Sequence, residues 1–255
     1  MTTGNKFYTD TSTYTWFSAL LYNRRLCCIM LSSVMRTSLR ILIFQGSTRS
    51  QGPPMPARVG ERIGLWAADA LTKRGNNVVV CDPMETALPL LQKPHFAYAR
   101  GKAPAELEDL AELIRESDAY VMITPEYNHA PSPALLNTLN HFGSSLFAFK
   151  PSAIISYSQG QWGGVRAAAG LRAPLSELGC LPVSAMIHIP RAHEAFDANG
   201  VATGEGAAER WARYGARTFS QLEWWAAAAA SQRIIQDPFQ ESAAFLDEPA
   251  QRNAP

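Results

Sequence analysis

An α/β fold, with a doubly wound, five-stranded parallel sheet in three α/β/α layers, is what this sequence predicts. Two observations carry the prediction. Short apolar, β-branched runs alternate with segments of helical periodicity from residue 39 to residue 231, and such alternation builds a parallel sheet with helices on both faces. The chain is also long enough, since 255 residues with 47% hydrophobic content can bury one sizeable core. One domain over 39–231, flanked by extensions at 1–38 and 232–255, is the economical organisation.

Residues 39–44 read as the first strand, and an apolar-periodic helix through Ile63, Leu65 and Trp66 starts near Arg58-Val59-Gly60. Lys73-Arg74-Gly75 marks a helix end, 77–81 is the second strand, and 104–116 is a helix opened by Pro104 and acids. The third strand, 120–123, is expected to stop at Pro125. Pro131 and Pro133 then restrict the backbone before a helix over 133–147, whose Leu135, Leu136, Leu139, Phe142 and Leu146 exceed what one sheet face can cover and are expected to reach a subunit interface. A fourth strand over 151–157 precedes a helix with Val165, Ala168, Ala169, Leu171 and Leu175 inward, and 181–189 is the fifth strand. Residues 191–204 read as a loop. Residues 205–231 form a long Ala-rich helix whose Trp211, Tyr214, Phe219, Trp224 and Trp225 are expected to pack on the sheet or a neighbouring subunit, and 232–255 is expected to be an arm or disordered.

Three of these strands run into loops with ligand-binding character. After the first comes Gln45-Gly46-Ser47-Thr48-Arg49. Gly46 permits close backbone approach, Ser47, Thr48 and the loop amides donate hydrogen bonds, the next helix N-terminus favours an anion, and Arg49 or Arg58 adds charge. A phosphate fits this chemistry, although the turn matches neither the Gly-Lys-Ser/Thr P-loop nor the Gly-x-Gly-x-x-Gly fingerprint. After the third strand, Pro125-Glu126-Tyr127-Asn128-His129 offers an aromatic ring and amides in a proline-restricted loop suited to a flat ligand. After the fourth, Ser158-Gln159-Gly160-Gln161-Trp162-Gly163-Gly164 sets glycines beside a Trp, which implies close backbone approach. All three loops lie at carboxyl ends of strands, where ligands of α/β sheets sit.

Together, Gly46-Ser47-Thr48-Arg49, Pro125-Glu126-Tyr127-Asn128-His129 with Leu136-Asn137 in the next helix, and Tyr157-Ser158 through Gly163-Gly164 resemble the NAD(P)H-dependent FMN reductase family, which includes quinone, chromate and azo-dye reductases. The resemblance spans residues 39–190, and Pro-Glu-Tyr-Asn is its most specific part. It implies a flavodoxin-like fold with FMN at the carboxyl ends of the strands, a homodimer or homotetramer, and hydride transfer from NAD(P)H through FMN to a small acceptor. By position, Ser47, Thr48, Arg49 and Arg58 would hold the ribityl phosphate beside Gly46. Pro125, Glu126, Tyr127 and Asn128 would line the isoalloxazine, and Ser158, Gln159, Gly160 and Gly163 would meet its pyrimidine edge. No catalytic side chain is implied, because FMN carries the chemistry. Here Gly52-Pro53-Pro54-Met55-Pro56 lengthens the phosphate loop relative to many members, which bears on Arg58 more than on Arg49.

Composition narrows the function classes. The net charge is +1 and no Lys/Arg cluster stands out within 39–190, so a nucleic-acid face is not expected and the substrate should be small. Cys27, Cys28, Cys81 and Cys180 show no Cys-x-x-Cys spacing, which supports neither zinc nor a disulfide framework and fits a reducing compartment such as the cytoplasm. His95, His141, His188 and His193 stand singly and are expected to be satisfied or on the surface; His129 differs only by its place in the flat-ligand loop. No serine sits in Gly-x-Ser-x-Gly, which excludes that hydrolase type. Three classes remain: a two-step oxidoreductase, a one-electron carrier like flavodoxin, which the balanced charge disfavours, and a flavin-binding regulatory protein. Residues 1–38, with Lys6, Arg24, Arg25 and Arg36 against the single acid Asp10, have three readings: a mitochondrial or plastid transit peptide, a start assigned upstream of a true initiator at Met30 or Met35, which ranks slightly first, or a disordered tail. Their apolar run over 26–34 is too short for a bilayer span, which takes about 20 residues.

Overall fold

Strands buried on both faces belong inside a sheet covered on both sides, and the described residues include three. Strand β1 (Arg40–Gln45) is buried after its first residue, β3 (Ala119–Tyr127) is buried as far as Pro125, and β5 (Ser152–Tyr157) is buried throughout. In the computed structural model, which describes residues 38–53 and 55–241, they are the central strands of a parallel sheet ordered β2-β1-β3-β5-β6, with β2 (Asn77–Cys81) and β6 (Ile187–Ile189) at the edges. Numbered as parallel strands alone, this is the flavodoxin-like order 2-1-3-4-5. The two-residue β4 (Ala130–Pro131) pairs antiparallel with the end of β3, off this path.

Successive strand residues face opposite sides, and each side has its own core. Ile41, Ile43, Val121 and Ile155 meet α1 (Val59–Lys73) and the long α7 (Ala207–Ile235). Leu42, Phe44, Met122 and Ile154 meet α2 (Ala105–Glu116), α3 (Pro133–Asn140), the short α4 (Ser144–Phe147) and α5 (Val165–Glu177). Two four-residue helices, α6 (Ala192–Ala195) and α8 (Pro238–Glu241), lie after β6 and after α7.

Several expectations are corrected. Strand β3 does not stop at Pro125 but continues to Tyr127, because proline's fixed φ suits extended backbone and its missing N–H costs little at a ladder's end. The expected helix over 133–147 is two helices, parted where Gly143 takes an extended conformation before α4. Leu135, Leu139, Phe142 and Leu146 are buried in the chain's own core, with Leu136 partly buried against it. The fifth strand shrinks to three residues, with Pro182 making only an isolated bridge to Ser152. On α5, Val165 and Ala169 are exposed, and Ala167 is buried instead. The expected loop over 191–204 contains α6. On α7, Trp211 and Phe219 pack on Trp66, while Trp224 and Trp225 face outward at a T-shaped centroid distance of 4.6 Å. Residues 232–235 extend α7 and 238–241 form α8; the expectations for 1–37 and for 242–255 lie outside the described residues. Among the described residues, no helix is long and apolar enough to cross a membrane.

Candidate active site

Because β1, β3 and β5 are neighbours running in one direction, the loops that follow them share one rim of the sheet. In the first loop, a Cβ on Gly46 would stand 2.3 Å from the Ile123 carbonyl oxygen and 3.0 Å from Ser132 Oγ, so the loop presses on β3 as only glycine allows. Ser47 is buried; its Oγ accepts from the Arg49 amide at 3.3 Å and lies 3.5 Å from the Tyr127 hydroxyl. Thr48 is exposed beside it. The Arg49 guanidinium donates to the carbonyls of Gly52 at 2.9 Å and Pro56 at 3.1 Å, winding the lengthened loop around itself.

Arg58 adopts a left-handed conformation, φ 57°, just before α1. Its guanidinium donates to the Ser47 carbonyl at 3.2 Å, pairs with Glu61 at 3.1 Å and forms a close ion pair with Asp82. The Asp82 hydrogen bond outweighs burial and raises the arginine's pKa further. Asp82, directly after β2, belongs to the site framework although no local motif announces it. Beneath the loop, Gln45 is buried with its Oε1 unpartnered, and Tyr157 places its hydroxyl where a Cβ on Gly60 would come within 2.6 Å. Burial, only partly opposed by the Ser47 hydroxyl, raises the Tyr157 phenol above its ordinary range and keeps it neutral.

The second loop is a hairpin. Tyr127 pairs with Ala130, and the two residues between them, Asn128 and His129, have φ of 50° and 65°, the pattern of a two-residue turn between twisted strands. Asparagine takes this conformation readily; histidine does so less often. Thr124 Oγ1 accepts from the Ser132 amide at 3.1 Å, and Ser132 Oγ caps α3 by accepting from the Leu135 amide at 3.3 Å. Glu126 faces away from the phosphate loop. Its Oε2 accepts from the amides of Arg166 at 3.1 Å and Ala167 at 3.3 Å in the first turn of α5, and its Oε1 from His129 Nδ1 at 3.1 Å and Arg166 at 3.5 Å. Burial opposes its ionisation, but His129 and the two amides, with help from the Arg166 charge, win and hold the carboxyl below its usual range. Asn137 does not reach the hairpin: its side chain accepts from the Leu91 amide at 3.0 Å and donates to the Pro89 carbonyl at 2.9 Å, clasping the segment after β2.

The third loop is bolted to the sheet. A Cβ on Gly163 or Gly164, both at positive φ, would come within 2.9 Å of the backbone of Ile189 or Tyr157. Ser156 Oγ donates to the Gly163 carbonyl at 2.8 Å, and the carbonyls of Ser158 and Gly160 accept from the amides of Ala192 at 3.0 Å and Arg191 at 3.1 Å. Ser158 and Gln159 are half-buried, Gly160 is exposed, and Trp162 projects with 59% of its surface open.

The singly placed histidines all find neighbours: His95 with Glu108 at 3.1 Å, His141 with the Pro89 carbonyl at 2.9 Å, His188 with Ser156 at 2.8 Å and His193 with Glu194 at 3.1 Å. A cavity of about 850 Å³ between α7 and residues 149–151 and 179–184 lies at the opposite, amino end of the strands. Its position separates it from the loop rim.

The rim suits FMN. Gly46 seats the first loop against β3, hydroxyls of Ser47, Thr48 and Tyr127 and the start of α1 provide donors for a phosphate, and the hairpin and glycine turn share the rim with them. The sequence profile of the NADPH-dependent FMN reductase family matches residues 39–194. An NAD(P)H-dependent FMN reductase of Pseudomonas aeruginosa is 33% identical over 170 residues, covering 65% of this chain and 85% of that protein. A quinone reductase of Escherichia coli is 40% identical over 72 residues, only 27% of this chain and 38% of that protein. Among solved structures, the flavoenzyme NAD(P)H:acceptor oxidoreductase FerB of Paracoccus denitrificans aligns over 73% of this chain and 98% of its own with a TM-score of 0.55, at 23% identity.

Proposed function

The chain belongs to the NADPH-dependent FMN reductase family, and from that premise we propose that it passes hydride from NAD(P)H through bound FMN to a small organic acceptor, a quinone or azo compound. When bound, FMN supplies the hydride chemistry. What the protein supplies is binding and shape. Ser47 and Thr48, with the α1 N-terminus, hold the phosphate; Arg49 and Arg58 use hydrogen bonds to keep the loop in form, the Arg49 charge favours an anion there, and the Arg58 charge is met by Asp82 and Glu61. Pro125, Tyr127 and Asn128 line the ring from the hairpin, and Ser158, Gln159, Gly160 and Gly163 meet its far edge. Glu126 acts indirectly, fixing the hairpin to α5.

The observation that carries this reading is the convergence of the loops after β1, β3 and β5 on one rim, with no dinucleotide fingerprint elsewhere in the sequence. One open ring face would serve the nicotinamide and the acceptor in turn. FMN-loaded protein should oxidise NADPH with menadione anaerobically as well as in air. Initial rates with NADPH varied against menadione should then give parallel double-reciprocal lines, because the first product leaves before the acceptor enters. Intersecting lines would mean that both bind together. Absence of turnover in a fully FMN-loaded sample would remove the enzymatic reading.

A further inference from the structure

We infer that Trp162 is the platform on which the acceptor stacks, so that this site selects flat aromatic acceptors over small inorganic oxyanions; the inference rests on the proposed reductase reading. The indole is 59% exposed, yet the backbone on either side of it is anchored. On one side, the Gly160 carbonyl accepts from Arg191 at 3.1 Å; on the other, the Gly163 carbonyl accepts from Ser156 at 2.8 Å and Gly163 and Gly164 press on the strand backbones of β6 and β5. An exposed side chain on such a mount loses little backbone freedom when something covers it. Single exposed aromatics need no explanation in general, and Trp224 and Trp225 on α7 show as much. Position distinguishes Trp162.

The Glu126 clasp makes the hairpin and the Trp162 turn neighbours, since the carboxylate after Pro125 bonds the amides of Arg166 and Ala167, at the start of the helix that Trp162 leads into. Tyr127, 38% exposed, sits in that hairpin with its hydroxyl 3.5 Å from Ser47. On this inference, Trp162 and Tyr127, from loops of one rim, offer two aromatic faces to a ring lying against the flavin. Aromatic pairs gain about 0.5–1.5 kcal/mol beyond their buried area. A compact hydrated oxyanion gains nothing from an indole face. Arg166 and His129, with side chains 47% and 69% exposed, add polar edge contacts for acceptor oxygens, and both are engaged by the Glu126 carboxylate.

The test uses the FMN-loaded protein and its Trp162→Ala and Trp162→Phe variants. Calorimetric titration of menadione into oxidised enzyme, with no NADPH present, reads acceptor binding without turnover. Trp162→Ala should weaken menadione about tenfold and Trp162→Phe much less, while the FMN dissociation constant moves less than twofold in both. In turnover, the ratio of kcat/KM for menadione to that for chromate should fall about tenfold in Trp162→Ala. Unchanged menadione binding would overturn the inference. So would a parallel loss of FMN and menadione affinity, which would make Trp162 a cofactor contact. If wild-type protein binds FMN but turns over no acceptor, the reductase reading fails instead, and the calorimetric dependence on Trp162 tells the two failures apart.

Discussion

Glycine at position 46 is demanded by a distance: its absent Cβ would lie 2.3 Å from a backbone oxygen of β3. Backbone cannot swing aside as a flexible side chain can, so Gly46→Ala should cost at least about 1–3 kcal/mol, the usual penalty of overpacking, and should displace Ser47. Chemical denaturation of the cofactor-free variant and fluorescence titration with FMN check this; wild-type values in both would contradict the tight approach. The glycine was legible in the sequence as a point of close backbone approach, although its near neighbour is β3. Asp82 was not. Its link to Arg58 depends on β2 lying beside β1, a contact between residues 24 apart, and no local pattern encodes that. The left-handed Arg58 was equally hidden, since arginine has no preference for positive φ.

At the scale of elements, what could be read were the buried strands, whose β-branched runs have no polar alternative, and the start of α3 after Pro131. What escaped was where elements end. Pro125 reads as a stop, yet β3 runs on to make the hairpin with β4; Gly143 was a visible break that the apolar pattern of 133–147 masked. Glu126 is the charged link between the hairpin and α5, and its pKa has a consequence. Glu126 is held below its ordinary value in the folded protein, so the unfolded chain takes up its proton first as pH falls. Its contribution is fully present above the unfolded pKa of about 4.3 and is lost as pH drops through the lower folded value. Glu126→Gln should therefore be about 1.5–3 kcal/mol less stable than wild type at pH 7, the range for charge-assisted hydrogen bonds, and the gap should close below about pH 4. Urea unfolding at pH 7, 5 and 3.5 measures it. A gap independent of pH would show that geometry, not charge, holds the clasp.

Across the whole molecule the two ends of the sheet do different work. The carboxyl end exposes backbone amides, hydroxyls and rings; the amino end buries charge. Lys150, just before β5 and only 8% exposed, donates to the carbonyls of Ile114 at 2.7 Å and Arg115 at 2.8 Å at the end of α2, while nearby Asp118 pairs with Arg233 at 3.2 Å. Burial pushes the Lys150 ammonium down to about 7, with the Arg233 charge adding to the effect. An unfolded lysine titrates near 10.4, so between about pH 7 and pH 10 the unfolded chain carries a proton that the folded protein has released. Stability must then rise with pH across that window, by up to about 1.4 kcal/mol per unit for one proton. Lys150→Met keeps the apolar stem and removes the titration. Urea unfolding of FMN-saturated protein at pH 7, 8.5 and 10 should show wild type gaining on the variant at each step, with the difference largest at pH 10. Curves that stay parallel would mean that the carbonyls of α2 keep the ammonium charged in the fold, and that this end of the sheet stores no pH-dependent stability.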